Sequence, residues 1–420
     1  MNRRALLIGS GAVLGTAPAR PNQALKSRDY FPPPDKEGGW RTVNDPVRVR
    51  RAVGLDAGRL DRAFAYTMTT SRHGGLLVLR HGWLVYERYF GRAGREVTPN
   101  MFSIAKMFTS VACGIMLGEK RDRIPEGLDQ KVFTEKYLPE AFPLSDPRKA
   151  DIKLGHLLAM TSGMRDGRLG IVRGEVKELE PLPQAGRVDQ DQSALRVPLW
   201  TSPGDGYSYS TQGTHVASIV LRHIVGMEMK EYIEQKLARP MRFGGWGYAT
   251  EFAGIKLPHT PGGFGIALRA TDALRFGYLL LHAGRWRKQQ LIPADYFEHC
   301  THPSPYNPHS PYSLQFEVNA DGHVHGAPRD AFFKSGAGGF CLYAVPSLDL
   351  VVYKIASVSS GALAGSAPYD LGYGGRTENP DASRDKWQPR PLDQFHDGPI
   401  NGDAGTRRTL EMVVAACMDC

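Results

Sequence analysis

The sequence is poor in cysteine and has no long apolar run beyond its first residues. Five cysteines, Cys113, Cys300, Cys341, Cys417 and Cys420, are spread over 420 residues, too few for a disulfide scaffold. Cys417 and Cys420 form a C-x-x-C without the second pair that a zinc site needs, so free or incidentally paired thiols are expected. Past the first twenty residues no segment reads as long and apolar enough to cross a bilayer, so no membrane span is expected. Blocks of one charge sign are also missing. Lys and Arg total 52 against 43 Asp and Glu, a formal charge of +9, but the basic residues are scattered, and nucleic acid is not an expected partner. There are no internal repeats and no H-E-x-x-H. What is present, 41% hydrophobic and 23% charged residues, is the balance of a globular chain with a sizeable core.

The chain opens on Arg3-Arg4, an apolar stretch over residues 5–15 and Ala17-Pro18-Ala19. Charge, then apolar residues, then a small-x-small site is the order of an export signal, and the Arg pair also suits a twin-arginine signal. Residues 1–19 are therefore expected to be a signal peptide, and the protein to be exported, periplasmic or secreted. Residues 20–50, rich in Pro, Gly and charge, read as a leader segment, with order beginning near Val53.

Two β-favouring runs, 76–79 and 84–90, joined through His81-Gly82, predict a hairpin. A helix apolar on more than one side follows from about Phe102 and should be buried, with Gly118 as its stop. Further helices are predicted near 156–160, over 212–225 up to Gly226, and over 229–237, stopping before Pro240. Residues 167–198 read as an irregular loop rimming a cleft. After a helix near 271–282 come strand-like runs at 312–319, 331–334, 339–346 and 350–357, then a loop-rich stretch over 358–405 and a closing helix over 407–418. The order of strands, helices and strands predicts an α/β (α+β) chain. An antiparallel sheet is built from residues 51–100 and 262–420, is flanked by helices, and has a mostly helical region, 101–261, inserted.

Three short segments could carry chemistry. Ser103-Ile104-Ala105-Lys106 matches S-x-x-K, a motif of serine acyl-transfer enzymes. Residues three apart share a helix face, so the Lys106 amine can reach the Ser103 hydroxyl. The free N–H groups of a helix N-terminus stabilise an oxyanion and disfavour an ammonium, which helps Lys106 accept a proton. Ser383-Arg384-Asp385-Lys386 also matches, but it stands in a Pro- and Asp-rich stretch with no apolar helix behind it. Tyr209, within Tyr207-Ser208-Tyr209-Ser210-Thr211 and ahead of a helix, could act as a general base if positive charge lowers its phenol pKa. Lys334-Ser335-Gly336, between two strands, offers a cation where an anionic group could dock and a glycine that lets a ligand approach the backbone. The N–H of Ala337 is the expected second oxyanion donor beside that of Ser103.

In their order and contexts these segments resemble the penicillin-recognising serine hydrolases, a group that includes class C β-lactamases, DD-peptidases, family VIII esterases and 6-aminohexanoate-dimer hydrolases. The family signatures are S-x-x-K, then Y-x-N or Y-S-x, then K-T-G or H-x-G. Secondary resemblances are His156-Leu157-Leu158 with Thr161-Ser162-Gly163, and Ser202-Pro203-Gly204. The resemblance covers roughly residues 55–357 and the last helix, and it implies a β-lactamase-like fold. It also implies Ser103, Lys106, Tyr209 and Ala337 as catalytic groups, and Thr211, Lys334, Ser335 and Gly336 as substrate-binding ones. Thr211 stands where the family carries Asn, which weakens the case for efficient β-lactam hydrolysis. The expected activity is esterase- or amidase-like hydrolysis through an acyl-enzyme on Ser103. β-Lactamase or D-alanyl-D-alanine carboxypeptidase activity is the alternative, and the substrate is small or peptide-like, with a carboxylate-bearing one open because Lys334 is retained. No cofactor or metal is implied.

Two competing readings come from other classes. His323-Val324-His325, with His299, Cys300 and His302, could suggest zinc if two imidazoles shared a strand face, but no carboxylate follows at a suitable spacing. A non-catalytic binding or sensor protein on the same scaffold is the other.

Overall fold

His81 and Gly82 both take positive φ, 51° and 71°, as a tight turn matched to strand twist requires. They fold β1 (Gly74–Arg80) back on β2 (Trp83–Phe90). The structure, a computed structural model, describes residues 30–71, 73–91, 93–180, 189–252, 255–356 and 405–418. The export signal, the first part of the leader, the Ser383 motif, Cys420 and nearly all of 358–405 lie outside these residues.

Four strands from later in the chain complete the sheet: β3 (Glu317–Val318), β4 (Phe332–Gly336), β5 (Phe340–Val345) and β6 (Leu350–Ile355). The order is β3-β4-β5-β6-β1-β2, every neighbour antiparallel, with Val78 opposite Val352 where the two ends of the chain meet. This is the antiparallel sheet with flanking helices expected from the sequence. Both faces are covered, which explains why β1 and β6 read as continuous apolar runs rather than alternating ones. Leu76 and Val78 pack with Leu60 of α2 (Ala57–Thr70) and Leu410 of α8 (Thr406–Val414), behind the short α1 (Pro46–Val53). Leu77 and Leu79 face the other way, into the core that holds α3 (Ala105–Glu119) and α7 (Ala270–Leu281). There the rings of Phe108 and Phe276 stack 3.7 Å apart. By length and hydropathy Phe102–Glu119 would suit a membrane, contrary to the reading that no such segment exists, but 78% of it is buried inside the protein. It is a core helix, buried because apolar residues occupy more than one of its sides.

The inserted region carries α4 (Leu154–Leu158), α5 (Gln190–Leu195) and α6 (Thr211–Val225), which stops at Gly226 with φ 73°. Four expectations are revised. The helix from Met229 does not end before Pro240. A π-turn over Glu234–Ala238 resets the ladder, and Pro240 falls in the first turn of Arg239–Met241, where N–H groups have no helical partner. Of the strand predicted over 312–319 only Glu317–Val318 extends β4, because Gln315 takes φ 70° and Ser313 closes a turn onto Phe316. Within 167–198, Leu169–Val172 and Glu175–Glu178 form a two-stranded ribbon rather than an irregular loop. Order begins well before Val53: Trp40 is buried and donates to the Thr271 carbonyl, and Arg275 donates to the carbonyl of Pro32.

Candidate active site

The approach to Ser103 is a bent segment held by two hydrogen bonds. Met101 N–H donates to the Ile266 carbonyl, and Phe102 N–H to Asn100 Oδ1 at 2.8 Å. Phe102 itself takes φ 49°, a backbone region that bulky residues enter only where their surroundings impose it. The turn Phe102–Ile104 then runs into α3, leaving Ser103 partly exposed at the mouth of a buried helix.

Lys106 lies one turn deeper and is fully buried. Its Nζ is 3.1 Å from Ser103 Oγ, 3.1 Å from Thr211 Oγ1 and 2.6 Å from the Gly263 carbonyl. Burial holds its pKa below the ordinary lysine value, and the charge of Lys334 acts in the same direction, against an opposing pull from Tyr209. Three acceptors match the three N–H groups of an ammonium. A carbonyl can only accept, so once a proton leaves, the lone pair must face a hydroxyl, that of Ser103, Thr211 or Tyr209.

Tyr209 is fixed by the start of α6. Ser210 caps that helix, its Oγ accepting from Gly213 N–H at 2.8 Å. The Tyr209 ring lies 4.9 Å from Lys106 Nζ and 5.1 Å from Lys334 Nζ. Burial pushes the phenol up, but the two cations outweigh it, aided by interactions with the Ser103 hydroxyl and the Lys106 amine, and the net shift is down. Thr211, expected to touch substrate, is the first residue of α6 and accepts from Lys106.

Gly336, at the end of β4, lies against the backbone that precedes Ser103: a Cβ there would come within 2.4 Å of the Met101 carbonyl oxygen. Only glycine lets this strand end close on the serine turn. Ala337 follows, exposed, at the start of the turn Ala337–Gly339. Lys334 is buried, with Nζ 3.1 Å from Glu317 Oε1, and Ser335 Oγ donates to the same oxygen at 2.7 Å. Ser103, Lys106, Tyr209, Thr211 and Lys334 are therefore joined by direct contacts, and Gly336 abuts the turn that carries the serine.

Sequence reasoning missed Glu317, the Gly263 carbonyl and a buried cluster behind them. His215 Nε2 is 2.8 Å from Asp191 Oδ1, and Asp191 Oδ2 is 2.6 Å from Arg222 Nη2. His215 Nδ1 accepts from Gly262 N–H at 3.1 Å, so His215 donates through Nε2, and the cluster holds the residue just before Gly263, whose carbonyl accepts from Lys106. Ser218 Oγ is 3.3 Å from the same Nδ1, which gives an outward likeness to a Ser-His-Asp triad. It cannot act as one: Ser218 is 3% exposed, donates to the His215 carbonyl at 2.7 Å, and faces a nitrogen already taken. Spacings of 24 and 47 residues left no local signal for these contacts. The zinc alternative also loses its premise, since His323-Val324-His325 forms no strand and His323 pairs with Asp321 at 2.6 Å. Among the described residues no group of three or more His, Cys, Asp or Glu is arranged to hold a metal ion.

The beta-lactamase family model matches residues 60–369. The chain belongs to the beta-lactamase family. Solved structures with the same fold include a family VIII carboxylesterase, 17% identical with a TM-score of 0.56 over 86% of this chain and 97% of that one. They also include EstCE1, a hydrolase with promiscuous acyltransferase activity, 19% identical with a TM-score of 0.55 over 71% and 93%. A penicillin-binding protein homolog from Caulobacter crescentus is 14% identical, with a TM-score of 0.55 over 71% and 91%. No curated protein sequence matches the chain. Members of this beta-lactamase family are mostly serine hydrolases acting on small-molecule or peptide substrates.

Proposed function

We propose that this member of the beta-lactamase family hydrolyses ester or amide bonds through an acyl-enzyme on Ser103. The observation that carries the proposal is a fully buried Lys106 with Nζ 3.1 Å from Ser103 Oγ and a pKa held down by burial. Ser103 Oγ attacks the acyl carbon while its proton passes to the Lys106–Tyr209 pair. Those two groups interact, so the base is the pair rather than either member. The N–H groups of Ser103 and Ala337 hold the oxyanion, Tyr209 returns the proton to the leaving group, and a water molecule then releases the acid. Ester or amide cleavage is favoured over β-lactam cleavage because Thr211, in place of the family Asn, has its hydroxyl engaged by Lys106. The N-terminal pattern supports export, to be checked by cell fractionation.

The test is multiple turnover of a p-nitrophenyl ester. Wild-type protein is expected to release far more than one equivalent, which a binding or sensor protein would not. Ser103→Ala is expected to lose about 10³-fold or more in rate. An unchanged rate in that variant removes Ser103 from the reaction.

A further inference from the structure

Lys334 is buried and already paired. Its ammonium contacts the Glu317 carboxylate at 3.1 Å and lies over two aromatic faces, 5.1 Å from the Tyr209 centroid and 5.4 Å from that of Tyr312. Only 1% of the residue is exposed. Ser335 is committed in the same way: its hydroxyl and its N–H reach the same Glu317 oxygen, at 2.7 and 3.2 Å. The cation and the hydroxyl that a substrate carboxylate would use already serve a carboxylate of the protein.

Glu317 is in place because β3 pairs with β4, Glu317 opposite Phe333, next to Lys334. It is ionised: burial pushes its pKa up, but Lys334 and Ser335 outweigh that and hold it down. Its side chain keeps 21% exposure, so an incoming anion would meet a negative charge rather than a bare lysine. With its charge offset by Glu317, Lys334 offers a substrate carboxylate no net attraction, and the exposed edge of Glu317 repels it.

We infer that Glu317 is a specificity-determining residue that turns the cleft toward substrates with an uncharged acyl group and against those whose acyl group bears a carboxylate. This reverses the expectation that Lys334 docks a substrate carboxylate, and it rests on the acyl-enzyme reading of Ser103.

The test uses two p-nitrophenyl esters of similar length, the neutral butyrate and the glutarate monoester, which carries a free carboxylate. For wild-type protein kcat/KM is expected to favour the butyrate by about tenfold or more. Glu317→Gln keeps an acceptor for Lys334 and Ser335 but removes the charge, and should shift the glutarate-to-butyrate ratio upward by about tenfold. Equal or better use of the glutarate by wild-type protein overturns the inference, as does an unchanged ratio in folded Glu317→Gln. Should that variant not fold, the wild-type ratio alone decides. Failure of wild-type protein to hydrolyse either ester, with no labelling of Ser103, overturns the serine-hydrolase reading and this inference with it. Hydrolysis of both esters without preference overturns only the inference.

Discussion

An amine that is to take a proton must first give one up, and at Lys106 the surroundings favour that. Full burial lowers its pKa, and Lys334 adds to the effect. Since the Lys106–Tyr209 pair must shed a proton before it can act as base, kcat/KM for a neutral ester should rise with pH and level off at an inflection below the ordinary lysine value of about 10.4. A pH–rate profile with its inflection at or above that value would contradict the assignment. Lys106→Arg keeps a cation but cannot deprotonate, and should lower kcat/KM by about 10²–10⁴-fold. Folding of the variant is checked by thermal denaturation. Ser103 and Lys106 were legible in the sequence because helix geometry alone brings residues three apart together. Glu317 was not, since it is a lone carboxylate 17 residues from Lys334, brought there by strand register.

Two elements converge on the serine turn, and each depends on one residue. Ser210 caps α6 and so fixes Tyr209. Gly336 lets β4 close against Met101, and the Cβ of Gly336→Ala would press on a backbone oxygen, which cannot rotate aside. That variant is expected to lose about 1–3 kcal/mol in urea unfolding and to lower kcat/KM as well, because the Ser103 turn must move. Full activity in Gly336→Ala would show that the strand and the turn are not in register contact. Elements with strong local signals were predictable: the hairpin from His81-Gly82, the buried α3 from apolar residues on more than one side, and the end of α6 from Gly226. The run through Pro240 was not, because it depends on a π-turn that no local residue announces. Nor was the shortness of β3, which is set by the turn at Gln315.

Across the whole molecule, the site depends on a buried charge cluster behind the segment that holds Lys106. Asp191 joins α5 to His215 and Arg222 of α6, and His215 in turn holds the Gly262 peptide. Burial raises the Asp191 pKa, but His215 and Arg222 outweigh it and the net shift is strongly down. A carboxylate whose folded pKa lies below its unfolded value of about 3.9 contributes stability that is complete above that value and is lost as pH falls toward the folded pKa. Asp191→Asn should therefore cost about 3–5 kcal/mol at pH 7, and the gap from wild type in urea unfolding should narrow at pH 3. A gap that widens with acid would have the wrong sign. The most direct measurement of the proposed chemistry is covalent labelling with a fluorophosphonate, mapped by peptide mass spectrometry. One adduct per chain on the peptide that holds Ser103, absent from Ser103→Ala, is the expected result. A label on another serine such as Ser218, or the same adduct yield in Ser103→Ala, would contradict it.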